Sequence, residues 1–419
     1  MEKSASPSRW LLIGLAATVM GAAGTYQFIW SSLSGAVGAR IAASETALST
    51  VFTLYIVAQT LVQLPAGRIR DRFGPQKLLV ASGISMFAGY AGTAVASSIL
   101  SIYLSYIVGG VGAGIAYTVA VNTSVKWFDE RRGLATGLVT MAYGGISVLL
   151  IPLLREYIDT RFTATLLVLG GIVGVLGILA GLILRDPDDR TSATGEGAGS
   201  VARKEADRGE LMDESAAVGW RTAAKTWQFW SFYGVLVVVN GVGLMLIGQS
   251  VQLTTELGLS AAVATSVASV VALADGAGIL IISSLSDTFG GERTAGVSLL
   301  LCSMSLAGAI AAANQHHPVL FLLLAGGAAF FRSPVFSIFP NLVGSYYGEA
   351  RSSENYALIY TAKVPGGVFG GTVASVLVSL LGWSMSFYLG AGLIALAGLS
   401  TLSLTPTTTV PKEAPTTDQ

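Results

Sequence analysis

The sequence predicts an all-α membrane protein whose twelve spans form two six-helix pseudo-symmetric halves. Three observations predict it. Hydrophobic residues make up 52% of the 419-residue chain and charged residues only 11%, whereas soluble domains carry about a quarter charged. Apolar runs of roughly twenty residues, enough to cross a bilayer as helix, recur about twelve times. A charged stretch, GRIRDRFGPQK (Gly67–Lys77), returns 216 residues later as SSLSDTFGGER (Ser283–Arg293), with Asp287 in the place of Asp71. Backbone groups in lipid must bond internally, which leaves helices or closed barrels. The runs are too long for barrel strands and lack period-2 alternation, so helices are expected.

Taken in order, the first half gives spans at 10–33, 45–66, 76–96, 99–122, 134–154 and 163–184. The second half gives 227–253, 260–283, 294–313, 318–342, 354–381 and 383–404. The first run continues well past Ala22 and reads as an uncleaved span rather than a signal peptide. The domain division that follows is 1–184, then 226–404, joined by a cytoplasmic linker at 185–225. That linker holds nine acids and seven bases, a composition that cannot bury a core. A short surface helix is expected near Glu210–Trp220. The tail at 405–419, rich in Thr and Pro, is expected to be disordered and cytoplasmic.

The repeat extends beyond the charged stretches. Trp10 and Trp227 open the two halves 217 residues apart, and WFDERRG at 127–133 matches YYGEARS at 346–352 at an offset of 219. Two halves related by an axis along the membrane normal would enclose a central cavity. Cations give the orientation. With both termini cytoplasmic, 19 of the 24 Lys and Arg fall on the inner side and three (Arg40, Arg155, Arg161) on the outer, which is the positive-inside bias of a cell-membrane protein.

Composition also excludes functions. Net charge is zero, with no basic patch for nucleic acid. One cysteine, Cys302, and two loop histidines, His316 and His317, supply neither a disulfide framework nor a metal cluster. No nucleophile–base pair or Walker motif is present, so neither an enzyme nor an ATP-driven pump is expected, and no cofactor. The glycines of Gly109–Gly114 lie inside a span without a preceding strand and read as helix-packing positions.

The charged loop after the second span, echoed in the second half, resembles the major facilitator superfamily. A narrower match lies at GGVGAGIAYTVAVNTSVKWFDERRGLATGL (109–138), supported by GTYQFIWSS in the first span, FWSFYGVLVVVNGVGLMLIG in the seventh and NYALIYTAK in the eleventh. These are similar to the oxalate/formate antiporter family, relatives of the monocarboxylate porters. The resemblance implies a secondary active transporter of a small organic anion, a monocarboxylate or short dicarboxylate. It would work by alternating access, as proton symport or anion exchange. An exporter of a non-carboxylate compound is the alternative within the class, and a transporter-like membrane sensor lies outside it.

Ionisable residues inside spans are costly and mark function. Three sit deep here: Asp275 in the eighth span, Arg332 in the tenth and Lys363 in the eleventh. Counting to the charged ends of their helices places all three about 18–21 Å in, near the midplane. Their formal sum, +1, suits one carboxylate. The resemblance implies that Lys363 binds the anion. It also implies an eighth-span arginine eight residues before Asp287, where this chain has Ile279. Asp275 falls where animal-type monocarboxylate transporters keep an acid linked to proton coupling. Arg332 is therefore expected to replace the missing cation, with Asp275 as proton carrier or counter-ion; a purely structural pairing of Asp275 stays open. Tyr117, Asn122 and Tyr143 match positions that line the cavity in the resembled family, and Phe28 is expected to contact the substrate from the first span. Phe336 and Tyr360 lie one turn from Arg332 and Lys363. Tyr55, Gln59 and Gln63 form a polar stripe at i, i+4, i+8 on the second span; Tyr26, Gln27, Phe28 and Trp30 are expected to roof the site at the outer end of the first. Gly67, Asp71, Arg72, Gly74 and Asp287 are expected to gate the cytoplasmic face.

Overall fold

The computed structural model describes residues 9–127, 132–185, 218–348 and 352–405. Those residues are almost entirely helical and contain twelve helical segments long and apolar enough to cross a membrane. Spans 2 to 9 and span 12 are single helices: Glu45–Phe73, Gln76–Val95, Ile99–Trp127, Arg132–Tyr157, Phe162–Ile183, Trp227–Glu256, Ala261–Phe289, Gly291–Asn314 and Trp383–Leu402. Within the first half, span 3 packs on spans 4 and 6 and span 2 on span 4; in the second, span 9 packs on spans 10 and 12. The halves meet where span 5 packs along span 8, span 2 along span 11 and span 1 against span 7. Each half thus offers its polar positions to the seam and its leucine- and valine-rich faces to lipid, as the many exposed large hydrophobics of spans 3, 5, 6, 9 and 12 record.

Spans 1, 10 and 11 are broken, which the uninterrupted apolar runs did not foretell. Span 1 runs Arg9–Phe28, turns at Ile29 and continues as Trp30–Ile41. Residues 26–30 consequently sit mid-span, not at its outer end. Span 10 is divided into Pro318–Arg332 and Val335–Tyr347, and span 11 into Ser352–Tyr360, Lys363–Val368, a π-turn at Phe369–Val373 and Ala374–Leu381. Proline accounts for two of the breaks, because it removes one helical N–H and its ring crowds the carbonyl four residues back. At Pro334 that carbonyl belongs to Phe330, and the Ser333 hydroxyl donates to it at 3.3 Å. At Pro365 it belongs to Thr361, which the Val364 N–H reaches instead at 2.9 Å.

The charged stretches are helix ends rather than loops. Span 2 continues through Arg72 to Phe73 and span 8 to Phe289; the turns to the next helix comprise Gly74–Pro75 and Gly290. Gly74 has φ 76° and Gly290 φ 86°, a region open to glycine at no steric cost. Each caps its helix in the same way, by an N–H bond to Arg70 and Ser286 carbonyls respectively. The internal repeat therefore reaches backbone geometry. Gly67 lies half-buried in span 2 and Arg72 is exposed, while the side chains of Asp71 and Asp287 lie outside the described residues. The expected Glu210–Trp220 surface helix falls largely outside them too; what is described is one turn at Trp220–Ala223.

Away from these charged turns, a ladder of hydroxyls joins the halves. Thr53 Oγ1 lies 3.0 Å from Thr372 Oγ1 and accepts the Thr372 N–H at 3.0 Å. Thr50 pairs with Thr372 at 3.2 Å, Ser375 with Thr46 and Ser250 with Ser31 at 3.4 Å each. Thr372 lies in the π-turn, where the backbone bonding pattern is shifted by one residue, and its N–H reaches across to the Thr53 hydroxyl. Losing the Thr53 hydroxyl removes these bonds across the seam, at about 0.5–1.5 kcal/mol each. Thr53→Val is expected to loosen this end. In detergent, a cysteine at Ser49 should react with a polar maleimide several times faster in Thr53→Val than in the parent.

Candidate functional site

Two of the helix breaks place cations. Arg332 is the last residue of its helix segment and Lys363 the first of its own. Both are buried, at 5% exposure, in the middle of the bundle. Arg332 lies at a helix C-terminus, where the backbone dipole favours positive charge.

The Arg332 guanidinium donates to the Asp275 carboxylate through Nη2–Oδ1, forming a buried ion pair between spans 10 and 8. Its central carbon lies over the Phe336 ring, 5.4 Å from the centroid. Gly243 of span 7 lies against the same guanidinium so closely that a Cβ there would overlap its Cδ, Nη1 and Cζ. Only glycine leaves the room. The eighth-span position expected to carry the family's arginine is Ile279, half-buried and one turn beyond Asp275.

Lys363 has different company. Its Nζ donates to Gln59 Oε1 at 3.0 Å, across the seam between the halves, and lies 6.0 Å from the Tyr117 ring centroid. Gln59 Nε2 donates to the Tyr143 hydroxyl at 2.6 Å, and that hydroxyl donates to Gln27 Oε1 at 3.0 Å. The polarity of the chain is fixed from one end: an ammonium can only donate, so Gln59 must turn its oxygen toward Lys363 and its nitrogen toward Tyr143. Tyr55 OH stands 3.4 Å from Tyr143 OH. Phe28 and Tyr117 meet the Tyr143 ring edge-on at 5.7 and 5.6 Å. The Tyr360 hydroxyl faces that of Tyr117, and Lys363 interacts electrostatically with both Arg332 and Asp275.

The structure thus brings Lys363, Gln59, Tyr117, Tyr143, Phe28 and Tyr360 together, with Asp275, Arg332 and Phe336 beside them. Asn122 stands apart, its Nδ2 donating to its own helix at Thr118 O, 3.0 Å away. Tyr26 and Trp30 do not roof the site. Tyr26 is packed inside the first half against Tyr90 and Tyr106, its hydroxyl on Met86 O, and Trp30 lies edge-on to Tyr106. Gln27, bonded to Tyr143, is the candidate-site residue whose place the sequence does not disclose. Gln63, the third member of the stripe, is half-buried, while Gln59 is fully buried. Tyr117, Asn122, Phe336 and Tyr360, on the charged-turn side of the cations, are half-buried; Gln27, Phe28, Thr53 and Ser250, on the far side, are buried.

Twelve helices packed as two six-helix halves around buried polar groups define a membrane transporter. The Major Facilitator Superfamily model matches residues 11–251 and 235–418, and the chain belongs to that superfamily. It is not an enzyme family. The chain is 29% identical over 390 residues to the oxalate:formate antiporter of Oxalobacter formigenes, covering 92% of this chain and 88% of that protein. It is 25% identical to the apicoplast pyruvate carrier 1 of Toxoplasma gondii, covering 81% and 69%. Among solved structures, the inward-open xylose transporter XylE of E. coli superposes with a TM-score of 0.74 at 13% identity, over 95% of this chain and 97% of that one. At that identity the likeness is one of fold.

A methyl group forced against the Arg332 guanidinium disturbs the ion pair, and overpacking of this kind costs about 1–3 kcal/mol. Gly243→Ala is expected to lower the thermal midpoint of the detergent-solubilised protein by several degrees, whereas Gly392→Ala, whose Cβ meets nothing within 4 Å, leaves it in place.

Proposed function

We propose that this protein is a secondary transporter of a small organic anion, a monocarboxylate or short dicarboxylate, with Lys363 binding the carboxylate. One observation carries the reading: a buried lysine at the seam of the halves holds a neutral amide oxygen, Gln59 Oε1, at 3.0 Å. An amide oxygen is a weak substitute for a carboxylate oxygen, because it carries only a partial charge and lacks the full Coulombic attraction between two opposite formal charges. A carboxylate entering from the half-buried side, past Tyr117, Phe336 and Tyr360, would take the lysine from Gln59. Lys363 belongs to one half and Gln59 to the other, so this exchange alters a bond between the halves. Binding would thus bear directly on their rocking motion.

The relatives are named for oxalate and formate and for pyruvate, all carboxylates. In this reading the termini are cytoplasmic, the membrane is the cell membrane, and the charged turns face inward on the half-buried side of the site. Asp71 and Asp287, with Gly67, Arg72 and Gly74, gate that face. Arg332 and Asp275 adjoin the anion through Phe336, with Asp275 as counter-ion. Proton symport and anion exchange both fit this mechanism.

Uptake of labelled carboxylates into proteoliposomes, with and without an imposed pH gradient, tests the reading. Removing one member of a buried charge pair costs about 2–5 kcal/mol. Lys363→Gln is therefore expected to reduce saturable uptake by well over tenfold, and a response of wild-type uptake to the gradient identifies proton coupling. Undiminished uptake by Lys363→Gln rejects the assignment.

A further inference from the structure

We infer that Asp275 sets the charge of the substrate and restricts this site to monoanions. The inference rests on the carboxylate reading above and deepens it. Three formal charges lie near one another inside the bundle, and the geometry divides them unequally. Asp275 is bonded to Arg332, with Phe336 and Gly243 enclosing the guanidinium. Lys363 is bonded to the neutral Gln59 and flanked by the Tyr117 ring. A second cation from span 8 is lacking, because Ile279 stands one turn from Asp275.

The site therefore presents a single net positive charge. One carboxylate brings it to neutrality. A dianion leaves an uncompensated negative charge among Tyr117, Tyr360 and Phe336, where burying an unpaired charge is strongly unfavourable. Asp275 would also repel the second carboxylate directly, and specificity is commonly built from such repulsion. The aromatic rings suit an uncharged remainder of the substrate. Removing the Asp275 charge reverses this logic, since Arg332 then lacks its partner and the site carries two positive charges.

The test compares labelled pyruvate, with one charge at neutral pH, and labelled oxalate, with two. Uptake is measured for wild type, Asp275→Asn, the double variant Asp275→Asn/Arg332→Gln, and Lys363→Gln in proteoliposomes. Wild type is expected to take up pyruvate at least about tenfold better than oxalate, a difference of about 1.4 kcal/mol. Asp275→Asn is expected to move the ratio toward oxalate by about tenfold or more. The double variant, again with a single cation and with no unpaired guanidinium to compromise folding, should return to pyruvate. A wild type that prefers oxalate, or a folded Asp275→Asn with the wild-type ratio, overturns the inference. In either case, loss of uptake in Lys363→Gln leaves the carboxylate reading standing. Uptake of neither anion by wild type, or an unaffected Lys363→Gln, overturns the carboxylate reading and this inference with it.

Discussion

Charge at the centre of a bilayer has no water to solvate it, and the middle of this protein is arranged around that constraint. An ion at such depth costs several kcal/mol unless it is paired. Arg332 meets the constraint with a carboxylate, an aromatic face and a helix C-terminus. Lys363 meets it with one amide oxygen and the face of Tyr117. The asymmetry is what gives the two cations different proposed roles. A fully matched charge is a structural element that resists change. A charge held by a neutral ligand is in a metastable arrangement, available to a better ligand.

The neutral ligand is itself held. Gln59 is fixed by Tyr143, and Tyr143 by Gln27, so spans 2, 5 and 1 of the first half cooperate in presenting one oxygen to span 11 of the second. A directed chain of this kind polarises its members and keeps the amide from rotating its nitrogen toward the ammonium. The hydroxyl ladder farther along the same seam has no formal charge. Its bonds are individually modest, which suits contacts that must form and break in each transport cycle.

The layout of spans was legible because hydrophobic length and charge placement are one-dimensional properties. Counting residues to the charged helix ends is enough to put Asp275, Arg332 and Lys363 at one depth. The i, i+4 recurrence of Tyr55 and Gln59 showed that they share a face. Rotation about a helix axis is not written in such counts. That Arg332 turns to Asp275 and Lys363 to Gln59 depends on which neighbour leaves space, as Gly243 does. The first span reads short because WSSLSGAVGARI is less apolar than the run before it, so the apolar stretch gives out near Gln27 although the chain continues helically to Ile41. The breaks at Pro334 and Pro365 did leave a signal, since each proline deprives a carbonyl four residues earlier of its donor.

The π-turn at Phe369–Val373 has a consequence for phase. Lys363 and Thr372 both address span 2, through Gln59 and Thr53, although they are nine residues apart. At 3.6 residues per turn, positions with that spacing in an unbroken α-helix point about 180° away from each other. One wide turn absorbs roughly a residue and brings both toward the same neighbour. The turn behaves as a one-residue insertion that the helix has accommodated without a loop. A homologous helix one residue shorter in this segment could present the same two faces with continuous α-geometry, so gapped alignments of span 11 would carry structural meaning.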